Sequence, residues 1–124
     1  TQIMGTDGEG FPIEEVLGKF DSANCSALKG KPKIFVFQCC RGEKKHADML
    51  IAYSTLPGFF SLRDAVRGSW YIQSICDVFE RHAKEFDVET LLKIVDEQLS
   101  KKHPQYQQTS TYESRGFKRC YLNP

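Results

Sequence analysis

The chain has 124 residues, 40% hydrophobic and 27% charged, and its 17 basic and 16 acidic side chains leave a net charge of +1. Such a length makes one domain, or part of one, around a single core, and the balanced charge removes the electrostatic argument for nucleic acid or an anionic membrane as a partner. No apolar run approaches the roughly 18–20 residues that cross a bilayer, and the start, Thr1-Gln2-Ile3-Met4-Gly5, lacks the basic end and apolar centre of a signal peptide.

Thr6-Asp7-Gly8-Glu9-Gly10 is turn material. Pro12 suits a first helical position, and Glu14 and Glu15 suit the positive end of a helix dipole. Ile13, Val16, Leu17 and Phe20 share one helical face, so the spacing predicts a short helix over 12–20. A loop over 21–30 and Lys31-Pro32-Lys33 lead into a predicted strand at 34–39. Its start, Ile34-Phe35-Val36-Phe37, is apolar on both faces, the pattern of a central parallel strand covered by helices on each side. A second buried strand is predicted over 47–55, closed by Pro57-Gly58, and 59–67 reads as irregular, mixing aromatics with Arg63 and Arg67. Gly68-Ser69 caps a predicted helix over 70–86 with Ile72, Ile75, Cys76, Phe79 and Ala83 inward. Asp87 caps another over 88–101 carrying Leu91, Leu92, Val95 and Leu99. Beyond His103-Pro104, a polar stretch over 107–114 precedes a last short strand expected near 117–122. Strands alternating with helices predict an α/β sheet between helical layers.

The five cysteines make an odd count without a Cys-x-x-Cys pair. A disulfide framework and a zinc site are therefore not expected, and free thiols in a reducing cytosol are. Cys25, Cys76 and Cys120 read as small apolar packing residues. Cys39 and Cys40 differ: Gln38-Cys39-Cys40-Arg41-Gly42 follows directly on an apolar strand, where a thiol reaches the rim of a sheet and can face solvent. Two adjacent thiols cannot be told apart by spacing alone, and both could be packing residues at a strand end.

This pentapeptide is one residue from the Gln-Ala-Cys-[Arg/Gln/Gly]-Gly signature of caspases. Further blocks run in that family's order. They are Met4-Gly5-Thr6-Asp7-Gly8, Gly30-Lys31-Pro32-Lys33, Ala47-Asp48-Met49-Leu50-Ile51-Ala52-Tyr53-Ser54-Thr55, Pro57-Gly58, Arg63 and Gly68-Ser69-Trp70-Tyr71-Ile72-Gln73. The chain thus resembles the C-terminal two-thirds of a caspase domain, with the tail after 103 matching loosely. Phe20-Asp21-Ser22-Ala23-Asn24-Cys25 and the helix from His82 to Leu92 are most similar to initiator caspases of insect and nematode type. The resemblance implies a mostly parallel, caspase-like sheet in three layers. Residues 1–46 would end a large subunit and 47–124 would form a small subunit.

What the resemblance implies chemically is a cysteine endopeptidase cutting after aspartate, with an initiator-like role in apoptosis. The family register makes Cys40 the nucleophile and puts Cys39 where alanine is usual. The histidine that would serve as base lies about 50 residues upstream of such a cysteine, off the start of this chain, while His46, His82 and His103 all lie downstream. The preceding segment is then absent from this sequence, carried on a separate polypeptide, or missing from a natural decoy. Only Glu43-Lys44-Lys45-His46 separates Gly42 from Ala47, where caspase zymogens carry a cleavable linker; an excised or unlisted linker accounts for this better than a tight turn.

A substrate carboxylate is held best by a guanidinium making two parallel hydrogen bonds. The resemblance assigns that part to Arg63, with Gln38 beside it, and gives Ser61 and Arg63 backbone contacts to an extended peptide added at a sheet edge. Phe60 and Trp70 match residues lining neighbouring subsites, although Trp70 can equally anchor its own helix. Leu62 stands where tryptophan is frequent and Asp64 where asparagine is. The segment 107–117 corresponds to the pairing strand of caspase dimers; its polarity predicts a weak homodimer, since little apolar area is available at about 25 cal/mol per Å². Implied partners are peptide substrates with an acidic residue before the scissile bond, an upstream large-subunit segment, an apoptosome-type adaptor and inhibitor-of-apoptosis proteins. No cofactor or metal is implied, and the place is the cytoplasm. Two other readings stay open: a non-catalytic caspase homologue that regulates an active one by pairing, and an unrelated α/β thiol enzyme using His46.

Overall fold

The computed structural model describes residues 2–38 and 47–122. Three strands form the central sheet: β3 (Lys33–Phe37), β4 (Met49–Tyr53) and β7 (Thr111–Arg115). β3 and β4 run parallel, with Phe37 opposite Tyr53, and β4 and β7 run antiparallel, with Tyr53 opposite Thr111. Around them lie the hairpin β1 (Gln2–Met4)–β2 (Gly10–Pro12), α1 (Ile13–Lys19), the hairpin β5 (Arg63–Asp64)–β6 (Gly68–Ser69), α2 (Trp70–His82) and α3 (Val88–Ser100).

The alternation of a strand distributes its side chains to two faces, and β4 feeds both. Met49, Ile51 and Tyr53 meet Ile13 and Leu17 of α1 together with Phe37. Leu50 and Ala52 meet Val88 and Leu92 of α3 together with Phe117. Tyr71 and Val78 of α2 then close on Leu91, Val95 and Leu99 of α3. The three-layer α/β architecture expected from the sequence is present. Every residue of β4 is buried, because among the described strands it alone has a strand on each edge and a helical layer on each face.

Several expectations need correction. The central strand is β4, not β3, which lies at the edge of the described sheet and leaves Ile34 and Val36 exposed. The sheet is mixed, since β7 is antiparallel to β4. The last strand is β7, inside the polar stretch, while 117–122 forms no strand. Backbone pairing to the buried β4 decides this, because an edge strand can be polar when half its surface is solvated. Phe117 still enters the core, and the Cys120 carbonyl accepts a hydrogen bond from the Val88 amide at 2.9 Å.

α2 ends at His82; of its expected inward residues Ile75, Phe79 and Ala83 pack against the core, Ile72 and Cys76 are exposed, and Tyr71, Ser74 and Val78 are the buried ones. Tyr71 supplies more apolar area than Ile72, and the small Ser74 fits the inward turn between Tyr71 and Val78. α3 buries the expected Leu91, Leu92, Val95 and Leu99, and Val88 besides. Of the other cysteines, Cys120 packs partly against the core and Cys25 is half-buried. The hairpin β1–β2 flanks the stretch read as turn, β5 falls in the stretch read as irregular, and β6 in the residues read as a helix cap. Neither hairpin shows enough alternation to be visible as a strand.

Candidate active site

Cys39, Cys40 and His46 lie outside the described residues. The structure describes the expected binding residues, beginning with Gln38. Gln38 leaves the end of β3, whose last carbonyl, on Phe37, accepts from the Ser54 amide at 3.3 Å, so its Cα is tied to the sheet.

The segment after β4 folds back as the short hairpin β5–β6. Gly68 takes a φ of +84°, which a side chain would oppose. Asp64 Oδ1 accepts from the Val66 and Arg67 amides, both at 2.8 Å, closing the turn. These amides hold the exposed Asp64 carboxyl below its ordinary pKa. Asp64 is thereby engaged within its own hairpin.

Hairpin register sets the site. Arg63 lies directly opposite Ser69, and opposed residues of an antiparallel pair project from the same face. Ser69 caps α2 by accepting from the Ile72 amide at 3.3 Å, and its hydroxyl donates to Gln38 Oε1 at 2.8 Å. Gln38 Nε2 donates in turn to Ser61 Oγ. The expected binding residues Gln38, Ser61 and Arg63 are therefore brought to one rim, with Ser69 joining them. Arg63 is exposed and forms no ion pair among the described residues, leaving its guanidinium open to a ligand.

Phe60 is 91% exposed. With Leu62 it lines an open cavity of about 450 Å³, whose other walls include Leu56, Phe59 and Tyr106. Among the described residues no lysine, arginine or histidine lines it. Trp70 does not line this cavity. Its ring stacks on His103 at 6.2 Å and packs against the α2–α3 cluster, while its amide donates to the Leu62 carbonyl at 3.1 Å. Of the two roles open to Trp70, the structure provides the helix anchor directly. His82 stands at the end of α2 beside Phe86, and His103 follows α3.

One residue at this site escaped the sequence reading. Gln108 is 2% exposed; its Oε1 accepts from the Leu62 amide at 2.7 Å, and its Nε2 donates to the Ser54 carbonyl at 2.7 Å and to Ser61 Oγ at 3.3 Å. A lone Gln in a polar stretch carries no signal that would find it. Among the described residues no group of three or more His, Cys, Asp or Glu side chains could hold a metal ion, and no helix is long and apolar enough to cross a membrane.

The arrangement is a donor-rich rim beside an apolar groove, at the end of a strand. Comparison with known proteins points the same way. The profile of the Caspase domain matches residues 1–121. Caspase drICE of Drosophila melanogaster is 33% identical over 115 residues, covering 73% of this chain and 34% of its own length. Caspase-3 of Bos taurus is 29% identical over 142, covering 98% and 51%. Caspase Dronc of Drosophila melanogaster is 29% identical over 161, covering 95% and 36%. The chain thus spans a third to a half of these relatives' own length, and it is no closer to one of them than to another in a way that would assign a subclass. The chain belongs to the caspase family.

Proposed function

We propose that this chain is the nucleophile-bearing part of a cysteine endopeptidase that cleaves proteins after aspartate. The Cys40 thiolate would attack the scissile carbonyl, and a histidine from an upstream segment would form that thiolate and later protonate the leaving amine. Residues 1–46 would belong to a large subunit and 47–124 to a small one, in a zymogen cut between them. The observation that carries this reading is the register of the β5–β6 hairpin. It brings Arg63 to the face of Ser69, whose hydroxyl reaches Gln38, two residues before Cys40.

A guanidinium beside amide and hydroxyl donors suits a carboxylate. Ser61 and Arg63 would pair with the backbone of an extended substrate. Phe60 and Leu62 would receive an outer side chain, and the uncharged walls of their cavity favour an apolar one over an acid. Trp70 would support this wall from behind. We assign the enzyme an initiator-like apoptotic role in the cytoplasm. It would form a weak homodimer through the polar β7, with an apoptosome-type adaptor raising the local concentration and inhibitor-of-apoptosis proteins as regulators.

The test is titration of the complete protein with a peptide aldehyde ending in aspartate. Labelling should vanish in Cys40→Ala and persist in Cys39→Ala. No labelling of the wild type would sink the protease reading and favour a non-catalytic homologue that pairs with an active caspase.

A further inference from the structure

We infer that Gln108 is a positioning residue of the acid-binding rim: it fixes the direction of the hydrogen bonds at Ser61, so that the Ser61 hydroxyl proton is left for the substrate carboxylate. The inference rests on the protease reading above and extends it to a residue outside the motif.

Backbone amides only donate and carbonyls only accept. At one end of the network, Gln108 meets the Leu62 amide and the Ser54 carbonyl, so its Oε1 must accept and its Nε2 must donate. The second Nε2 proton then goes to Ser61 Oγ. At the other end, Ser69 Oγ accepts from the Ile72 amide and donates to Gln38 Oε1, and Gln38 Nε2 donates to Ser61 Oγ. Donors from both ends converge on a single hydroxyl. A serine oxygen has two lone pairs; both are taken, and among the described residues its own O–H has no acceptor.

Among the described residues Gln38 Nε2 has one hydrogen-bond partner, Ser61, which leaves its second proton available as well. Two donor protons are then available at the rim that also carries Arg63. An aspartate carboxylate can accept both, while a neutral amide offers them a single oxygen and brings a donor of its own. Gln108 is buried, at 2% exposure, and acts on the bound carboxylate through Ser61.

The experiment uses the complete protein, with enzyme concentration set by titration with the aspartyl aldehyde. The readout is the ratio of kcat/KM for an aspartyl peptide to that for its asparaginyl counterpart. Gln108→Glu keeps the size and the acceptor for Leu62, but cannot donate to Ser61, which then turns its proton inward. Hydrogen bonds to charged groups are the strong ones, so this ratio should fall about tenfold, chiefly through KM for the aspartyl peptide. Gln108→Leu, which removes both functions without adding charge, should lower the ratio in the same direction.

Ser110→Ala loosens the same segment by removing its hydroxyl bond to Asp96 at 3.0 Å; it should reduce thermal stability and leave the ratio unchanged. A folded Gln108→Glu and Gln108→Leu pair with the wild-type ratio would overturn the inference and leave the protease reading standing. A ratio that falls equally in Ser110→Ala would also overturn it, since loosening alone would then suffice. Wild-type protein that cleaves neither peptide would overturn both.

Discussion

The strand β4 and the segment from Leu56 to Ser69 are neighbours in sequence and opposites in construction. β4 presents five buried residues, from Met49 to Tyr53, to two helical layers and is held by apolar area. The following segment leaves Phe59, Phe60 and Val66 largely exposed. It is held by polar side chains: Gln108 on Leu62 and Ser61, Ser69 on Gln38, Asp64 on its own turn. Area secures a fold without regard to direction, while hydrogen bonds secure direction with little area. A rim that must aim donors at a ligand needs the second kind, and a strand that must support it needs the first.

Mutations should separate the two. The largest loss belongs to β4: Leu50→Ala removes a fully buried side chain between α3 and the sheet and should cost about 2–5 kcal/mol, read as a drop in thermal midpoint of the complete protein. A smaller loss is expected at the far end of β7, where the Arg115 side chain is 8% exposed and bonds Glu113 at 2.9 Å and Glu14 at 3.5 Å. Burial works against this guanidinium, but the two carboxylates hold its pKa above the ordinary value. Arg115→Met should cost about 1–3 kcal/mol, below a fully buried pair because Glu113 is partly solvated, and denaturant midpoints would measure it.

On the polar side, Ser69→Ala removes a helix cap and a support of Gln38. It should cost about 1 kcal/mol in stability, with a further effect on aspartyl-peptide KM. An unchanged KM would break the link between the cap and the rim.

A pH measurement probes the core from another direction. Burial, together with the nearby Asp96 carboxylate, raises the pKa of Tyr71. The phenol of the unfolded chain ionises near 10, so above that pH the unfolded state gives up a proton that the folded state keeps. The stability this group contributes is complete below about pH 10 and declines as pH rises above it. Tyr71→Phe should flatten the alkaline limb of a stability–pH curve and change little at pH 7. The smallest effect is expected at Phe60→Ala, which should leave stability within about 0.5 kcal/mol while altering the preference for apolar outer residues in peptide substrates. A large loss of stability there would mean that the exposed ring is structural.

The motif Gln38-Cys39-Cys40-Arg41-Gly42, the apolar run of β4 and the i, i+3, i+4 face of α3 could all be read in one dimension. Each is written in contiguous or periodic residues, and the family blocks then supplied Arg63 and Ser61 as site candidates. α2 shows where that reading weakens: its apolar residues cover two adjacent stripes, and only the position of α3 decides that Tyr71 and Val78 face inward. β7 shows it further, since Thr111 to Arg115 carries a polar pattern and becomes a strand because β4 offers it a ladder.

Composition, periodicity and motif were enough to announce a layered α/β domain of caspase type, because burial leaves its mark on neighbouring residues along the chain. They could not announce that Gln108 closes a network with Ser54, Ser61 and Leu62, some fifty positions earlier. Nothing local distinguishes Gln108 from the exposed Gln107 beside it. Which of two identical amides is buried depends on where the folded chain puts an amide and a carbonyl that need one, and that is a property of three dimensions.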